Sequence, residues 1–292
     1  MIRDLTSDAR VKIISQQNCG VSAARNRGVM EAKYDHIAFL DGDDVWLPTY
    51  LEQVVKNIEY MPDAGMYCMA GYVTDSSMVY LRIAEKYNGR TLIVDFFEAP
   101  DVFAHTSATV IKRELFQRVG GFMPGLKYRQ DMVLFCSAGL SAKVVYCGIP
   151  LSVYMGDVLG QTTSASIVEK IKYVVWGFNI TCNKWIETDK KNKRFKTYFK
   201  YTVRHQIISL IRTGEKIAFE TFIQGLNEDS LRLFAIAERF LYGHWPLHRV
   251  AKYYILYTKL LWRFRRYPRV SEKHKKSLKY LNVPALAETL SD

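Results

Sequence analysis

The ten residues Ile37-Ala38-Phe39-Leu40-Asp41-Gly42-Asp43-Asp44-Val45-Trp46 constrain this chain more than any other stretch. Four apolar residues run directly into three carboxylates. The apolar run reads as a short buried strand. Asp and Gly do not continue a strand, so the carboxylates fall on the loop at its C-terminal edge. In open α/β sheets that edge is where ligands bind. Three like charges within four residues repel one another unless a cation shares them. Carboxylates at i and i+2 suit an oxygen-ligand cation such as Mg²⁺ or Mn²⁺, with Asp41, Asp43 and Asp44 as candidate ligands. An Asp-Gly cluster is equally an ordinary turn former, and both readings stand at this point. An EF-hand is excluded, because Trp46 occupies the glycine position of such a loop and Pro48 interrupts it.

The flanking chain alternates strand and helix. Val11 to Ser15 is a strand candidate, and Ala23 to Lys33 a helix entered through Gly20 and Ser22. Arg25 and Asn26 fall in the first turns of that helix, where the dipole and free N–H groups favour an anion. A solvated arginine on an amphipathic helix is the plain alternative. Pro48 opens a further helix, Thr49 to Glu59, and Met66 to Val73 is apolar enough for the next strand. This alternation predicts an α/β unit with a mostly parallel sheet. Beyond it, Met78 to Ala84 reads as an edge strand, Ser107 to Ile111 as a strand, and Lys112 to Val119 as a helix stopped by Gly120-Gly121. A helix begins at Gln130-Asp131-Met132, and Lys143 to Cys147 is a strand ahead of Pro150. Asp131 at the mouth of an apolar helix is either a cap that favours the dipole or a general base in a partly dry cleft.

Together these segments resemble the family 2 glycosyltransferases of the GT-A fold. Three motifs carry the resemblance, in order: Asn18-x-Gly20-x-Ser22-x-Ala24-Arg25-Asn26-x-Gly28; Phe39-Leu40-Asp41-Gly42-Asp43-Asp44-x-Trp46-x-Pro48; and Gly120-Gly121-Phe122 with Gln130-Asp131. They lie within residues 11–155. The resemblance implies inverting transfer of a sugar from a nucleotide-diphosphate donor to an acceptor hydroxyl, with a divalent metal (Mn or Mg) as cofactor. It implies that Asp131 is the catalytic base. Arg25, Asn26, Asp41 and Trp46 would line the donor side, and Gly121, Phe122 and Gln130 the acceptor side. Asp41, Asp43 and Asp44 would hold the metal. Trp46 reads equally as a core anchor for the helix after Pro48. Gln130 stands where the family carries Glu. Family members open with two further strands that hold the nucleotide, and this chain starts after both, so a GT-A-like sheet without them is expected.

Charge divides the chain. Residues 1–164 carry 16 Lys and Arg against 18 Asp and Glu, whereas residues 165–292 carry 25 against 11. From about Ser164 the pattern turns helical: Ile167 to Trp185, Phe195 to Arg212, Ile217 to Leu226, Leu231 to Leu241 and Leu247 to Tyr267 have three-four apolar spacing. Residues 1–160 therefore read as a GT-A-like domain and 161–292 as a basic helical region, with Lys190 to Arg194 a basic linker. The last helix sets Arg249, Lys252, Lys259, Arg263 and Arg266 beside Tyr253, Tyr257, Leu260 and Tyr267, which suits either an anionic bilayer surface or a solvated bundle face. The region has no nucleic-acid-binding motif, so no nucleic-acid partner is expected. Five scattered cysteines without metal-ligand spacing read as reduced thiols. A cytoplasmic protein, peripheral at the inner face of a membrane, is expected. The expected partners are a nucleotide-sugar donor and a glycan or lipid-linked acceptor. The competing reading is a truncated, inactive remnant or membrane-associated partner subunit.

Overall fold

The computed structural model describes residues 8–75, 78–83, 85–156, 166–189, 192–264 and 275–277. The elements run α1 (Val21–Glu31), β1 (His36–Ala38), β2 (Val45–Trp46), α2 (Tyr50–Tyr60), β3 (Met66–Asp75), β4 (Met78–Arg82), β5 (Thr91–Val94), α3 (Pro100–Phe103), β6 (Thr109–Lys112), α4 (Arg113–Arg118), α5 (Gln130–Ser141) and β7 (Val144–Met155). Helices α6 (Ile167–Glu187), α7 (Lys193–Thr213), α8 (Lys216–Gly225), α9 (Glu228–Arg232), α10 (Ile236–Gly243) and α11 (His248–Phe264) follow, and then β8 (Lys275–Ser277).

The sheet is mixed and GT-A-like. Its spine runs β1-β6-β3-β4-β8, and β7 pairs with β3, β2 and β5. β3 and β7 form the parallel pair among the described residues, and the other ladders are antiparallel. The expected alternation of strand and helix survives within this pattern. β1 and β3 point the same way, as a crossover through α2 demands. Antiparallel β6 is inserted between them, so neither finds a parallel neighbour on that side. Val11–Ser15 joins no ladder among the described residues and is largely exposed.

Alternation along the central strands sorts their side chains between two cores. Met66, Cys68, Ala70, Ile111, Val144 and Tyr146 join the larger core with α5 and the C-terminal helices. Tyr67, Met69, Val110, Val145 and Cys147 pack on the other face against Tyr50 and Val54 of α2. Both faces are covered, which is why these strands read as continuous apolar runs rather than alternating ones. β7 continues through Pro150 to Met155, and the register against β3 shifts between Met69 and Gly71.

The helical region shares the larger core. Phe195 of α7 meets Phe97 edge-on at 5.1 Å and stacks on Trp185 at 5.3 Å. Arg194 reaches Glu98 at 3.0 Å, and Asn192 Nδ2 donates to Asp95 Oδ1 at 3.2 Å. Ser166 and Glu169 form a reciprocal cap that starts α6, and Gly214 (φ 71°) ends α7 in the left-handed region. The helix expected over Leu231 to Leu241 is split: α9 ends at Arg232 and α10 begins at Ile236. The break turns Phe234 into the core, edge-on to Tyr242, and that burial outweighs a continuous helical period. Lys190, Lys191, Arg266 and Tyr267 lie outside the described residues.

Candidate active site

The acidic loop bridges two parts of the sheet. It leaves the C-terminal end of β1 and enters β2, which pairs with Ser152 and Val153 near the end of β7. Strand β6 runs antiparallel to β1, so the segment leading into β6 lies at the same sheet edge as the loop. Four stretches far apart in sequence therefore meet: α1, the acidic loop, residues 105–108 and the end of β7.

The three carboxylates have different surroundings. Asp41 accepts from Arg25 Nη2 at 2.6 and 2.7 Å, and the pair is partly screened from solvent. Arg25 Nε and Nη1 are buried without a hydrogen-bond partner, and its guanidinium lies over Phe122 at 5.1 Å. Asp43 is half-buried and has no side-chain hydrogen bond or ion pair among the described residues. Asp44 is committed inward, with its side chain 1% exposed. Ser107 Oγ donates to Asp44 Oδ2 at 2.5 Å and the Met155 amide to Oδ1 at 3.2 Å. Burial pushes the Asp44 carboxyl up to about 6. The two hydrogen bonds oppose that shift, and the charges of Asp43 and Asp41 add to it.

Trp46 stacks on Tyr50 with ring centroids 4.4 Å apart and planes 9° off parallel, and its Nε1 donates to Ser107 O at 2.5 Å. This arrangement anchors the start of α2. Asn26 is spent on the chain itself: its Nδ2 donates to Phe122 O at 2.8 Å, and the Phe122 amide donates to its Oδ1 at 3.0 Å. Those two bonds fix the Gly121–Phe122 segment against α1. Gly121 (φ 66°) has no room for a side chain, because a Cβ would meet Phe116 and Asn26 Oδ1 at about 3 Å. Phe122 is fully buried against Phe39. Asp131 stands in the first turn of α5, after Arg129 in a left-handed conformation (φ 64°). Gln130 Oε1 beside it is buried without a partner.

Residues that local sequence did not single out complete the cleft. Arg82, His105, Ser152 and Tyr154 line an opening with Tyr72 and Gly71. Arg82 Nη2 donates to the Asp101 carbonyl. Burial lowers the Arg82 pKa, and the charges of Asp101 and Asp131 among others oppose that shift. His105 lies edge-on to Tyr154 with centroids 4.8 Å apart and has Nε2 3.7 Å from Asp44. Its pKa is pushed down to about 3 by burial first, then by the charges of Arg82 and Arg25, so the imidazole is neutral at pH 7. No sequence signal marks His105 or Ser107, because their placement follows from the β1–β6 pairing alone.

Among the described residues no group of three or more His, Cys, Asp or Glu side chains forms a metal cage. A cation shared with a diphosphate needs none, since Mg²⁺ is commonly held by one or two carboxylates plus substrate phosphates. The Asp43 carboxylate fits that donor set best. Both oxygens of Asp41 are held by Arg25 and both of Asp44 by Ser107 and Met155, so each fits it less well.

A mixed curled sheet, flanking helices and an acidic loop at the sheet edge define a GT-A-like fold. The crystal structure of S. aureus TarS residues 1–349 in complex with UDP-GlcNAc has the same fold, with a TM-score of 0.57 and 14% identity over 88% of this chain and 75% of that one. Residues 1–120 match the glycosyl transferase family 2 model. Succinoglycan biosynthesis protein ExoW of Rhizobium meliloti is 33% identical over 156 residues, covering 47% of this chain and 48% of ExoW. Amylovoran biosynthesis glycosyltransferase AmsB of Erwinia amylovora is 28% identical over 107 residues, covering 35% and 36%. The chain spans about half or less of the length of these relatives.

Proposed function

We propose that the chain is an inverting glycosyltransferase. It moves a sugar from a nucleotide-diphosphate donor to an acceptor hydroxyl in the synthesis of a surface polysaccharide or lipid-linked glycan. One observation carries this reading: Tyr154 feels the charges of Asp43 and Asp44 and also that of Asp131. That shared influence supports an acidic loop and a candidate base that act near one another. The printed names of ExoW and AmsB, both polysaccharide biosynthesis proteins, support the product class.

In this reading Asp131 accepts the proton of the acceptor hydroxyl as that oxygen attacks the anomeric carbon, and a single displacement inverts the centre. Arg25 holds Asp41 on the donor side of the loop. Asp43, with Asp41 nearby, would hold a divalent cation. When bound, such a cation supplies Lewis-acid stabilisation of the charge that grows on the leaving diphosphate. Trp46 acts through the loop it anchors. Gln130 offers a hydrogen bond to the acceptor but no charge.

The test is a panel of UDP- and GDP-sugars with Mn²⁺ or Mg²⁺, reading released nucleotide diphosphate. Turnover of at least one donor is expected, and Asp131→Asn should lower it by about 10²–10⁴-fold. A fully active Asp131→Asn variant would sink the assignment. Lack of turnover with every donor would favour the inactive-remnant reading.

The proposal includes attachment to an anionic membrane surface through the last helices. No helix among the described residues is long and apolar enough to cross a membrane. Val250, Tyr253, Tyr257 and Leu260 form an exposed stripe on α11, with Tyr253 70% exposed, while Ala251 and Ile255 face the core. Exposed Ile236 and Phe240 continue that character on α10. With Arg249 and Lys252 alongside, this pattern suits a bilayer interface. Co-sedimentation with vesicles of phosphatidylglycerol and phosphatidylcholine, absent with phosphatidylcholine alone, is the expected result. Equal recovery with both vesicle types, or none with either, would overturn it.

A further inference from the structure

The β1–β6 ladder fixes what lies beneath the acidic loop. His36 pairs with Lys112, Ile37 with Ile111 and Ala38 with Val110. Continued past Ala38, that register sets Asp41 opposite Ser107. The hydrogen bonds follow this placement. The Asp41 amide donates to Ser107 Oγ at 3.0 Å, Ser107 Oγ donates to Asp44 Oδ2 at 2.5 Å, and Trp46 Nε1 donates to Ser107 O at 2.5 Å. One fully buried serine therefore binds the loop at its start, at its third carboxylate and at its exit. Asp44 extends the tie to β7 through the Met155 amide. The turn bond from the Asp44 amide to Asp41 O at 3.1 Å closes the loop around Gly42 and Asp43. Gly42 is exposed, and nothing lies near the space its Cβ would occupy. The apex is left open while both flanks are held.

We propose that Ser107 is the positioning residue of the acidic loop, and that Asp44 is its clamp partner rather than a metal ligand, so that Asp43 is the carboxylate presented to the cleft. The clause about the metal rests on the glycosyltransferase reading; the clause about positioning rests on the hydrogen bonds alone. The sequence treats the three aspartates alike, and the structure separates them by what each oxygen already holds. Asp41 is taken by Arg25 and Asp44 by Ser107 and Met155. A single hydroxyl that donates to one loop residue and accepts from another couples their positions. Loss of either bond frees the apex.

Two measurements test the proposal. The first is amide hydrogen exchange on the metal-free chain. Ser107→Ala should speed exchange at Asp41, Asp44 and Met155 by about tenfold and leave α7 and α10 unchanged, because the opening is local. Ser107→Thr keeps the hydroxyl and should restore protection. The second is Mn²⁺ binding read by electron paramagnetic resonance with UDP or GDP as the probe. Ser107→Ala should weaken Mn²⁺ binding by about 10–100-fold, the range for partners that orient a ligand. Asp44→Asn should stay close to the unaltered chain, since its amide oxygen still accepts from Met155 and its NH₂ can donate to Ser107. Unchanged loop exchange in Ser107→Ala would overturn the positioning role. Loss of Mn²⁺ binding in Asp44→Asn with loop protection intact would overturn the clamp role. If Ser107→Ala does not fold, Ser107→Gly, which also lacks the hydroxyl, is read by the same criteria. If the unaltered chain binds no Mn²⁺ with either nucleotide, the cation reading and the metal clause fall together, and the exchange experiment still decides whether Ser107 positions the loop.

Discussion

Removing Arg204 tests whether the helical region is held by a buried ion pair. Arg204 on α7 donates from Nε to Glu238 Oε1 at 2.6 Å and from Nη2 to Oε2 at 2.9 Å. The Glu238 side chain is 1% exposed and that of Arg204 13%. Tyr242 OH also donates to Glu238 Oε1. Arg204→Met leaves a desolvated carboxylate with a single hydroxyl partner, and breaking a buried pair in this way costs about 3–5 kcal/mol. With an unfolding entropy of about 2.1 cal/mol/K per residue, that cost lowers Tm by about 5–8 °C for a chain of this length. The double variant Arg204→Met/Glu238→Leu removes both charges and should recover most of the loss, because an apolar pair carries no desolvation penalty. Urea and thermal unfolding followed by circular dichroism measure the unaltered chain, Arg204→Met, Glu238→Leu and the double variant. A single variant within about 1 kcal/mol of the unaltered chain would refute the argument, because such a value is that of a surface pair. So would a double variant as unstable as the sum of the two singles.

Three further outcomes are expected. Gly148→Ala should destabilise by about 1–3 kcal/mol in a urea titration, because a methyl group would overlap the Tyr87 carbonyl, and the Gly148 amide and carbonyl are bonded to Arg90 and Gly89. Burial alone would raise the Glu98 pKa, but hydrogen bonds from Lys86 and Tyr87 and the charges of Lys86 and Arg194 bring it below the usual value. Its contribution to stability is therefore full above the usual carboxylate range and lost as pH falls through the depressed value; Glu98→Gln should flatten the acid limb of the stability profile, and an unchanged limb would count against the assignment. Trp46→Phe keeps the stack on Tyr50 but loses the bond to Ser107 O, so a loss of about 1 kcal/mol is expected by chemical denaturation, and no loss would show that the indole N–H is dispensable.

Much of the architecture was legible because it is local. Apolar runs end at Asp41, Pro48 starts a helix, and Gln130-Asp131 opens another; each follows from propensities within one turn or one strand. The helices α6 to α8 follow from apolar spacing in the same way. Val11–Ser15 shows the limit of such reasoning, since an apolar run becomes a strand only where a partner lies beside it. The split between α9 and α10 shows a second limit: the period is right for one helix, and the burial of Phe234 decides for two.

The acidic stretch itself divides along the same line. By itself the sequence indicated that three carboxylates follow a short strand, since Asp and Gly do not continue one; the strand ends at Ala38, just ahead of them. It could not rank them. That ranking was decided by tertiary structure, which inserts β6 antiparallel beside β1 and brings Ser107 under the loop. Ladder register is a property of two strands at once. The serine that holds Asp44 inward lies more than sixty residues away, beyond the reach of any local pattern.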